Sequence, residues 1–189
     1  MIERLFYNKN NALEKACHIL ERGGIIVYPT DTIYGFGCDG KNDNAIKKLN
    51  KIKNRNGPMS VLCPNVNIAL GWINLSNKNK NMVKTKYAPR TTLIVPVKDY
   101  IVSKLIMGED NTLGLRISNH PFCEILSNTY PYPITSTSVN RKGRLPNSNP
   151  NKIENIFSKE IDLIIEDGNI KGTNSKIYLF NHKGWETVR

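Results

Sequence analysis

Polar residues that could bind a charged substrate follow apolar runs at four places in the chain. Residues 28–35 contain hydroxyls, a carboxylate and a glycine, and residues 135–140 contain hydroxyls and an amide. Residues 53–58 supply two cations, and Arg116 lies inside an apolar run. Arg offers a planar fork and Lys a compact charge to phosphate or carboxylate, while hydroxyls and amides read small polar groups. These residue types suit a small anionic ligand.

Each of these clusters also has a structural interpretation that needs no ligand. The Pro-Thr-Asp-Thr stretch at residues 29–32 is typical of a turn or a helix cap. Cations in the last turn of a helix offset the helix dipole by about 0.3–1 kcal/mol. Strand alternation could turn Arg116 to solvent instead of to an anion, and residues 135–140 could be a strand edge that enters a turn. Taken one at a time, the clusters do not distinguish a ligand site from ordinary local structure.

Signatures of conventional nucleotide and metal sites are missing from the sequence. It has no phosphate loop ending in Gly-Lys-Ser or Gly-Lys-Thr and no dinucleotide-binding glycine fingerprint. The histidines, His18, His120 and His182, and the cysteines, Cys17, Cys38, Cys63 and Cys123, show no metal-binding spacing. We therefore predict reduced thiols and no metal held by protein side chains. If ATP binds, it binds without a phosphate loop.

The chain has 189 residues, a net charge of +11 and 39% apolar residues. Its length predicts one domain, residues 1–189, with enough apolar runs for one core. The positive charge raises the local concentration of polyanions such as nucleotides, RNA or acidic lipid, although AT-rich codon usage would also enrich Lys and Asn. No segment approaches the ~20 apolar residues of a membrane span, which predicts a soluble, cytoplasmic protein that does not enter a membrane.

Apolar periodicity alternates between strand and helix along the chain. Strands are predicted at residues 25–28, 59–62, 92–97, 113–117, 134–138, 163–165, 177–180 and 185–188. Helices are predicted after Asn10 and Asn11, after Asn42, at 121–128 and at 152–157, with a looser Asn- and Lys-rich helix before residue 92 and a short helix at 101–106. This order is typical of a mixed α/β fold with one sheet, in which ligands bind beyond the strand ends.

In their order and spacing, these motifs resemble those of the YrdC/YciO family. The matches are residues 23–37 (GGIIVYPTDTIYGFG) with the opening pattern, Lys53 and Arg55 with Lys-x-Arg, Ser138 and Asn140 with Ser-Ala-Asn, and Asp167-Gly168 ahead of Ser175. The resemblance covers nearly the whole chain and implies a single-domain α/β fold with a twisted, open mixed sheet and flanking helices. Because the chain ends at Arg189, it is similar to the short bacterial form without the extra C-terminal domain.

The resemblance implies synthesis of threonylcarbamoyl-AMP and pyrophosphate from L-threonine, bicarbonate and ATP, with Mg²⁺ on the phosphates. The product would feed the threonylcarbamoyladenosine modification of tRNA beside the anticodon. It would pass to downstream tRNA threonylcarbamoyl transferase proteins. Contact with tRNA is expected, and the sequence leaves open whether the protein itself or only its partner makes that contact. The alternative is a non-catalytic, YciO-like RNA-binding or translation-associated module. The presence of both Lys-x-Arg and Ser-x-Asn favours the enzyme, because the YciO branch tends to lack them.

The resemblance also implies roles for individual residues. L-threonine would be bound by Thr32, Arg116, Ser138 and Ser175. ATP would be surrounded by Lys53, Arg55, Gly57, Thr112, Asn140, Ser148 and Arg189, with Lys53 and Arg55 as catalytic residues. No protein nucleophile is needed, because positioning and cations that offset developing charge are sufficient.

The chain departs from the family pattern near the expected threonine pocket. Arg90 stands where small residues are usual, and the loop before Thr91 is one residue shorter. Val139 replaces alanine, Lys176 follows Ser175 where threonine is usual, and no histidine follows the predicted strand at 59–62. These differences predict a locally altered pocket that keeps its charged groups.

Overall fold

A ten-stranded mixed sheet forms the centre of the computed structural model, which describes residues 2–189. The strands are β1 (Glu3–Phe6), β2 (Ile26–Tyr28), β3 (Gly35–Gly37), β4 (Ser60–Leu62), β5 (Thr91–Pro96), β6 (Thr112–Arg116), β7 (Ile134–Ser138), β8 (Leu163–Glu166), β9 (Lys176–Asn181) and β10 (Gly184–Thr187). The α-helices are α1 (Ala12–Glu21), α2 (Asp43–Lys53), α3 (Val66–Trp72), α4 (Asn77–Lys86), α5 (Pro121–Thr129) and α6 (Pro150–Phe157). None of the helices within these residues is long and apolar enough to cross a membrane.

The strand order is β1-β8-β2-β3-β7-β4-β6-β5-β9-β10. The sheet contains parallel pairs, such as β4 with β6 and β5 with β9, and antiparallel pairs, such as β4 with β7 and β5 with β6. The predicted α/β class with one mixed sheet is therefore confirmed. Because β4, β6 and β5 are neighbours, residues from separate parts of the sequence come together on one face of the sheet.

Two strands were not predicted from the sequence. The strand β3 has the sequence Gly-Phe-Gly, and glycine weakens strand propensity, so the only local signal is one aromatic residue. Its place is decided by pairing, because it bridges β2 on one side and β7 on the other. The short edge strand β1 pairs in parallel with β8. Both strands depend on contacts with distant segments.

The helix α2 begins and ends at local signals that the sequence contains. The Asn42 side chain accepts hydrogen bonds from the amides of Asn44 and Ala45, which satisfies the free N–H groups of the first turn. The helix ends at Asn54, which adopts a left-handed conformation with φ of 50°. Lys53 is therefore the last residue of the helix, and Arg55 lies in the segment that leads to β4.

The Asn- and Lys-rich stretch forms two helices, α3 and α4, instead of one looser helix. Asn65 and Ser76 each cap a new first turn, which explains the interruption. The helix predicted at residues 101–106 is a short 3-10 helix at Lys104–Ile106, capped by Ser103. The remaining predicted helices correspond to α1, α2, α5 and α6.

Strand alternation separates the hydrophobic core from an open face of the sheet. In β5 and β6, the buried side chains of Leu93, Val95, Leu113 and Leu115 belong to one core cluster, which also contains the buried apolar residues of α2. The residues between them point to the opposite face. Together with residues of the neighbouring strands, they form the floor of the cavity described below.

Candidate substrate-binding site

A cavity of about 550 Å³ lies over the open face of the sheet. Its floor consists of alternate residues of five neighbouring segments: Ser60 of β4, Thr92 and Ile94 of β5, Thr112, Gly114 and Arg116 of β6, Ser136 and Ser138 of β7, and Ile177 and Leu179 of β9. Arg116 therefore lines this cavity, although its strand position alone would also allow it to face bulk solvent.

The centre of this floor is built from small residues. Ser60 is the register partner of both Gly114 and Ser136, so three small residues lie side by side across three strands. A Cβ atom added to Gly114 would lie 2.4 Å from the Ser60 hydroxyl oxygen. Glycine at this position therefore leaves room for the Ser60 side chain on the neighbouring strand.

The structure brings most of the predicted site residues together around this cavity. Those that line it are Thr32, Arg55, Thr112, Arg116, Ser138, Ser175 and Arg189. They are far apart in the sequence and meet because β5, β6, β7 and β9 lie close together in the sheet. Three guanidinium groups thus face one volume, and Glu109 is the only side-chain carboxylate among the described lining residues.

Arg116 is held in place by the loop that follows β2. Its Nη2 atom donates to Asp31 Oδ1 at 2.6 Å, to Thr32 Oγ1 at 2.6 Å and to Thr30 Oγ1 at 3.0 Å. Its Nε atom is buried and, within residues 2–189, has no hydrogen-bond partner. An unpaired N–H on a buried guanidinium is energetically costly.

Lys53 does not line the cavity but lies behind its wall. Its ammonium donates to the Ser138 carbonyl at 2.5 Å, to the Asn140 carbonyl at 3.1 Å and to Asn140 Oδ1 at 3.4 Å. Burial, helped by the nearby charge of Arg55, lowers the pKa of Lys53 to about 8. The structure therefore places this ammonium on the turn that follows β7.

The Asn140 side chain is used within the same turn. Its Oδ1 atom accepts from the Ser138 hydroxyl at 2.5 Å, and its amide nitrogen donates to the carbonyls of Arg141 at 3.1 Å and Arg144 at 2.7 Å. Asn140 consequently stabilises the wall of the cavity without lining it. Together with Lys53, it fixes the position of Ser138, which does line the cavity.

Arg55, Gly57 and Ser148 have different relations to the cavity. Arg55 lines it, donates to the Pro58 carbonyl and has a buried Nε atom without a partner among the described residues. Gly57 does not line it but adopts φ of 123°, a conformation that favours glycine in the turn beside Arg55. Ser148 is also outside the lining, and its carbonyl accepts from the Ile170 amide at 3.1 Å.

Residues 167–175, the crossing segment, pass over the Thr32 end of the cavity. The Tyr34 hydroxyl anchors the start of this segment by donating to the Gly168 carbonyl at 2.7 Å and accepting from the Asp167 amide at 2.8 Å. At its other end, the Ser175 and Thr92 hydroxyls lie 2.9 Å apart. A Cβ atom on Gly172 would lie 1.6 Å from the Thr32 carbonyl oxygen, so the segment lies directly against the Thr32 loop.

Several lining residues were not identified from the sequence, among them Ser60, Thr92, Glu109, Gly114 and Asn174. Thr92 and Gly114 lie on the same strand faces as Ile94 and Arg116, so strand alternation was the signal that could have identified them. Glu109 and Asn174 lie outside the strands, and nothing in the local pattern marks them. Their position depends on how the loops close over the sheet.

The fold and this cavity define an α/β protein with a basic, hydroxyl-rich cavity over its sheet. The chain belongs to the Sua5/YciO/YrdC family: the family model, which carries the description "Telomere recombination", matches residues 18–189. The matched residues include all five strands that line the cavity, β4, β5, β6, β7 and β9.

A threonylcarbamoyl-AMP synthase of Photobacterium profundum is 30% identical to the chain over 159 residues, which are 82% of this chain and 85% of that protein. E. coli YciO has a similar structure, with a TM-score of 0.86, 22% identity, and coverage of 99% of this chain and 92% of YciO. P. abyssi Sua5, in a crystal structure with L-threonine, has a TM-score of 0.88 and 21% identity. The match covers 100% of this chain but 57% of Sua5. At sequence identities of 22% and 21%, the similarity to YciO and Sua5 shows a shared fold.

Proposed function

We propose that the protein is a nucleotidyltransferase that makes threonylcarbamoyl-AMP and pyrophosphate from L-threonine, bicarbonate and ATP. The observation that carries the proposal is the convergence of Arg55, Arg116 and Arg189 on one cavity whose floor is built from small and hydroxyl residues. Such a cavity has cations for a carboxylate and for phosphates at the same time. The 30% identical relative named threonylcarbamoyl-AMP synthase supports this choice among anionic substrates.

L-threonine would bind at the end of the cavity formed by Thr32, Arg116, Ser138 and Ser175. Arg116 would take the carboxylate, because it lines the cavity at this end and a guanidinium pairs well with a carboxylate. The hydroxyls of Ser138 and Ser175 would read the polar groups of the amino acid. The crossing segment would shield this end from water, since Gly172 lies against Thr32.

ATP would extend toward Arg55, Thr112 and Arg189. Arg55 would neutralise charge on the phosphates, while Lys53 and Asn140 would contribute by fixing the turn behind Ser138. Ser148 and Gly57 would shape the loops at this end of the cavity. Mg²⁺ on the phosphates would add positive charge, and Glu109 is the lining carboxylate that could meet it. One protein carboxylate is consistent with magnesium that is held mainly by phosphate oxygens and water.

The reaction requires two bond-forming steps. The threonine amine first attacks the carbon of bicarbonate, water is lost, and a carbamate forms. A carbamate oxygen then attacks the α-phosphorus of ATP, the bond to the bridging oxygen breaks, and pyrophosphate leaves. No protein nucleophile is involved, so catalysis would rest on alignment of the substrates and on cations that offset charge on the leaving group.

The product would be a substrate for threonylcarbamoyladenosine modification of tRNA by a downstream transferase, in the cytoplasm. The net charge of +11 is consistent with tRNA close to the protein. Lys78 and Lys84 of α4 are exposed, and they would add positive charge at the surface for such contact. Weakened tRNA binding at higher salt, measured by filter binding, would support direct contact.

The proposed activity is tested by incubating the purified protein with L-threonine, bicarbonate, ATP and Mg²⁺ and analysing the mixture by mass spectrometry. We expect the threonylcarbamoyl adenylate together with pyrophosphate. Reactions without threonine or bicarbonate, and a reaction with the Arg55→Ala variant, are the controls. If the native protein makes no adenylate and ATP does not bind to it, the non-catalytic, YciO-like alternative is favoured.

A further inference from the structure

The carboxylate of Asp31 joins three segments of the proposed threonine site, although it does not line the cavity. Its Oδ1 atom accepts from Arg116 Nη2 at 2.6 Å and from the Ser118 hydroxyl at 2.9 Å. Its Oδ2 atom accepts from the Arg90 amide at 3.2 Å. The side chains of Asp31 and Arg116 are 10% and 8% exposed, so the ion pair is nearly shielded from water.

We propose that Asp31 is a positioning residue for threonine recognition, which holds the Arg116 guanidinium at the cavity in place for the substrate carboxylate. The inference rests on the proposed function, since it takes Arg116 as the group that binds this carboxylate. A guanidinium with free rotation would lose side-chain entropy when it bound a ligand. Arg116 has lost this freedom beforehand because one of its nitrogens is fixed by three acceptors, and pre-organisation of this kind strengthens binding.

The ionised state of Asp31 is maintained by its partners. Burial alone would raise its pKa, but the charge of Arg116 and the hydrogen bonds from Arg116, Ser118 and the Arg90 amide together lower the pKa below the ordinary value. The carboxylate consequently balances the buried charge of Arg116. A buried arginine without such a partner would strongly destabilise the folded protein.

Asp31 also connects Arg116 with the opposite wall of the site. The Arg90 amide donates to Asp31, and the Arg90 carbonyl accepts from the Lys176 amide at 3.0 Å. Lys176 directly follows Ser175, so Arg90 links the Thr32 loop to Ser175. Both departures from the family pattern, Arg90 and Lys176, make this link with backbone atoms. Both residues are exposed, which explains how the chain accommodates their long side chains.

Asparagine is the most informative replacement for Asp31, because it has almost the same shape. Asparagine has one side-chain oxygen. This oxygen can accept either from Arg116 and Ser118 or from the Arg90 amide, but it cannot accept from both groups of donors at once. In either orientation, the asparagine NH₂ group faces another donor. Asp31→Asn therefore removes the charge and one side of the connection without creating a cavity.

The matched control is Asp39→Asn. Asp39 is also buried, and its carboxylate accepts from the Lys41 amide at 2.7 Å and from the Tyr130 hydroxyl at 3.0 Å. It does not line the cavity. A second variant, Ser118→Ala, removes one donor to Asp31 without changing a charge, and it keeps the test possible if Asp31→Asn does not fold.

The experiment measures the dissociation constants for L-threonine and for ATP by isothermal titration calorimetry, and kcat and KM for both substrates. For Asp31→Asn we expect the Kd and KM for threonine to rise by about tenfold or more, as the loss of a charge-assisted hydrogen bond predicts. The Kd and KM for ATP should stay unchanged, and so should kcat. Ser118→Ala should show a smaller rise in the Kd and KM for threonine, and Asp39→Asn should show no rise.

The outcomes separate this inference from the proposed function. If the native protein does not bind threonine, the proposed function fails. If it binds threonine and Asp31→Asn binds it equally well, Asp31 is not a positioning residue. Tighter binding by Asp31→Asn would also overturn the inference, because it would mean that Asp31 competes with the substrate for Arg116. An equal loss of threonine and ATP binding would overturn it too, because it would indicate general damage to the fold.

Discussion

Lys53 and Arg55 are two positions apart at the end of α2, yet their side chains have different environments. Lys53 is 3% exposed and donates to acceptors of Ser138 and Asn140, whereas Arg55 lines the cavity. The left-handed residue Asn54 separates them and turns the chain out of the helix. A helix-dipole role, which the sequence alone allowed, would not require either of these specific contacts.

We expect Arg55→Ala to lower kcat/KM by about a hundredfold while the melting temperature changes little, because it removes a cation that stabilises developing charge. Pyrophosphate release and thermal melts measure these two quantities.

Lys53→Met should lower activity and also lower the unfolding free energy by ~1–3 kcal/mol, since buried carbonyls lose their donor. The same two measurements detect both effects. Lys51→Met, at an exposed lysine of the same helical turn, is the control and should be nearly neutral.

The environment of Lys53 predicts a pH dependence of stability. Its pKa of about 8 lies below the ordinary value of 10.5, so between these values the unfolded chain binds more protons than the folded one. The contribution of this group to the unfolding free energy therefore rises as the pH increases from 8 to 10.5. Chemical unfolding of the wild type and Lys53→Met across this range should show the difference between them rising in favour of the wild type. A constant difference would contradict the lowered pKa.

At the scale of elements, the crossing segment decides how closed the proposed threonine end is. It begins at the end of β8 and ends at the start of β9, and it is anchored by Tyr34 near its beginning. Between these anchors, Gly172 lies so close to the Thr32 carbonyl that no side chain can be placed there without movement. The position of Ser175 and Thr32 relative to each other therefore depends on one glycine.

We expect Gly172→Ala to raise the KM for threonine more than the KM for ATP. The added Cβ atom would lie 1.6 Å from the Thr32 carbonyl oxygen, so the segment must move away from the Thr32 loop. Steady-state kinetics with each substrate varied in turn measures the effect. Gly71→Ala is the control, because a Cβ atom there meets no atom within 4 Å and the change should be neutral or slightly stabilising in α3. Unchanged threonine kinetics for Gly172→Ala would mean that the crossing segment does not shape this end.

At the scale of the whole molecule, the site exists only when the sheet is formed. Residues from β4, β5, β6, β7 and β9 line the cavity, so the unfolded chain offers no comparable cluster of cations. A ligand that binds this cavity binds the native state alone. Ligand binding and global stability are therefore linked.

We expect ATP with Mg²⁺ to raise the melting temperature even though the sequence has no phosphate loop. A ligand specific for the native state adds ~2.7 kcal/mol at a hundredfold excess over its Kd. Differential scanning fluorimetry with increasing ATP measures the shift, and Arg55→Ala should reduce it. If millimolar ATP left the melting temperature of the wild type unchanged, the nucleotide site would have to be abandoned.

Most of the fold could be predicted from local patterns. The strands β2 and β4 to β10 and the helices α1, α2, α5 and α6 lie where periodicity and capping residues indicate them. Asn42 caps α2 through contacts with residues two and three positions away, so the signal and the structure are local. The strand β3 could not be found in this way, because a Gly-Phe-Gly segment becomes a strand only between β2 and β7.

For the site, motifs in the sequence and their resemblance to the family singled out Thr32, Arg55, Arg116, Ser138 and Ser175, all of which line the cavity. Only the tertiary structure decided that Lys53 and Asn140 support its wall, that Asp31 holds Arg116, and that the crossing segment covers Thr32. Residue type and strand alternation are properties of short segments, whereas hydrogen-bond partners depend on strand order and register. Those are decided by contacts between residues far apart in the chain, such as Asp31 with Arg116, and no local pattern contains them.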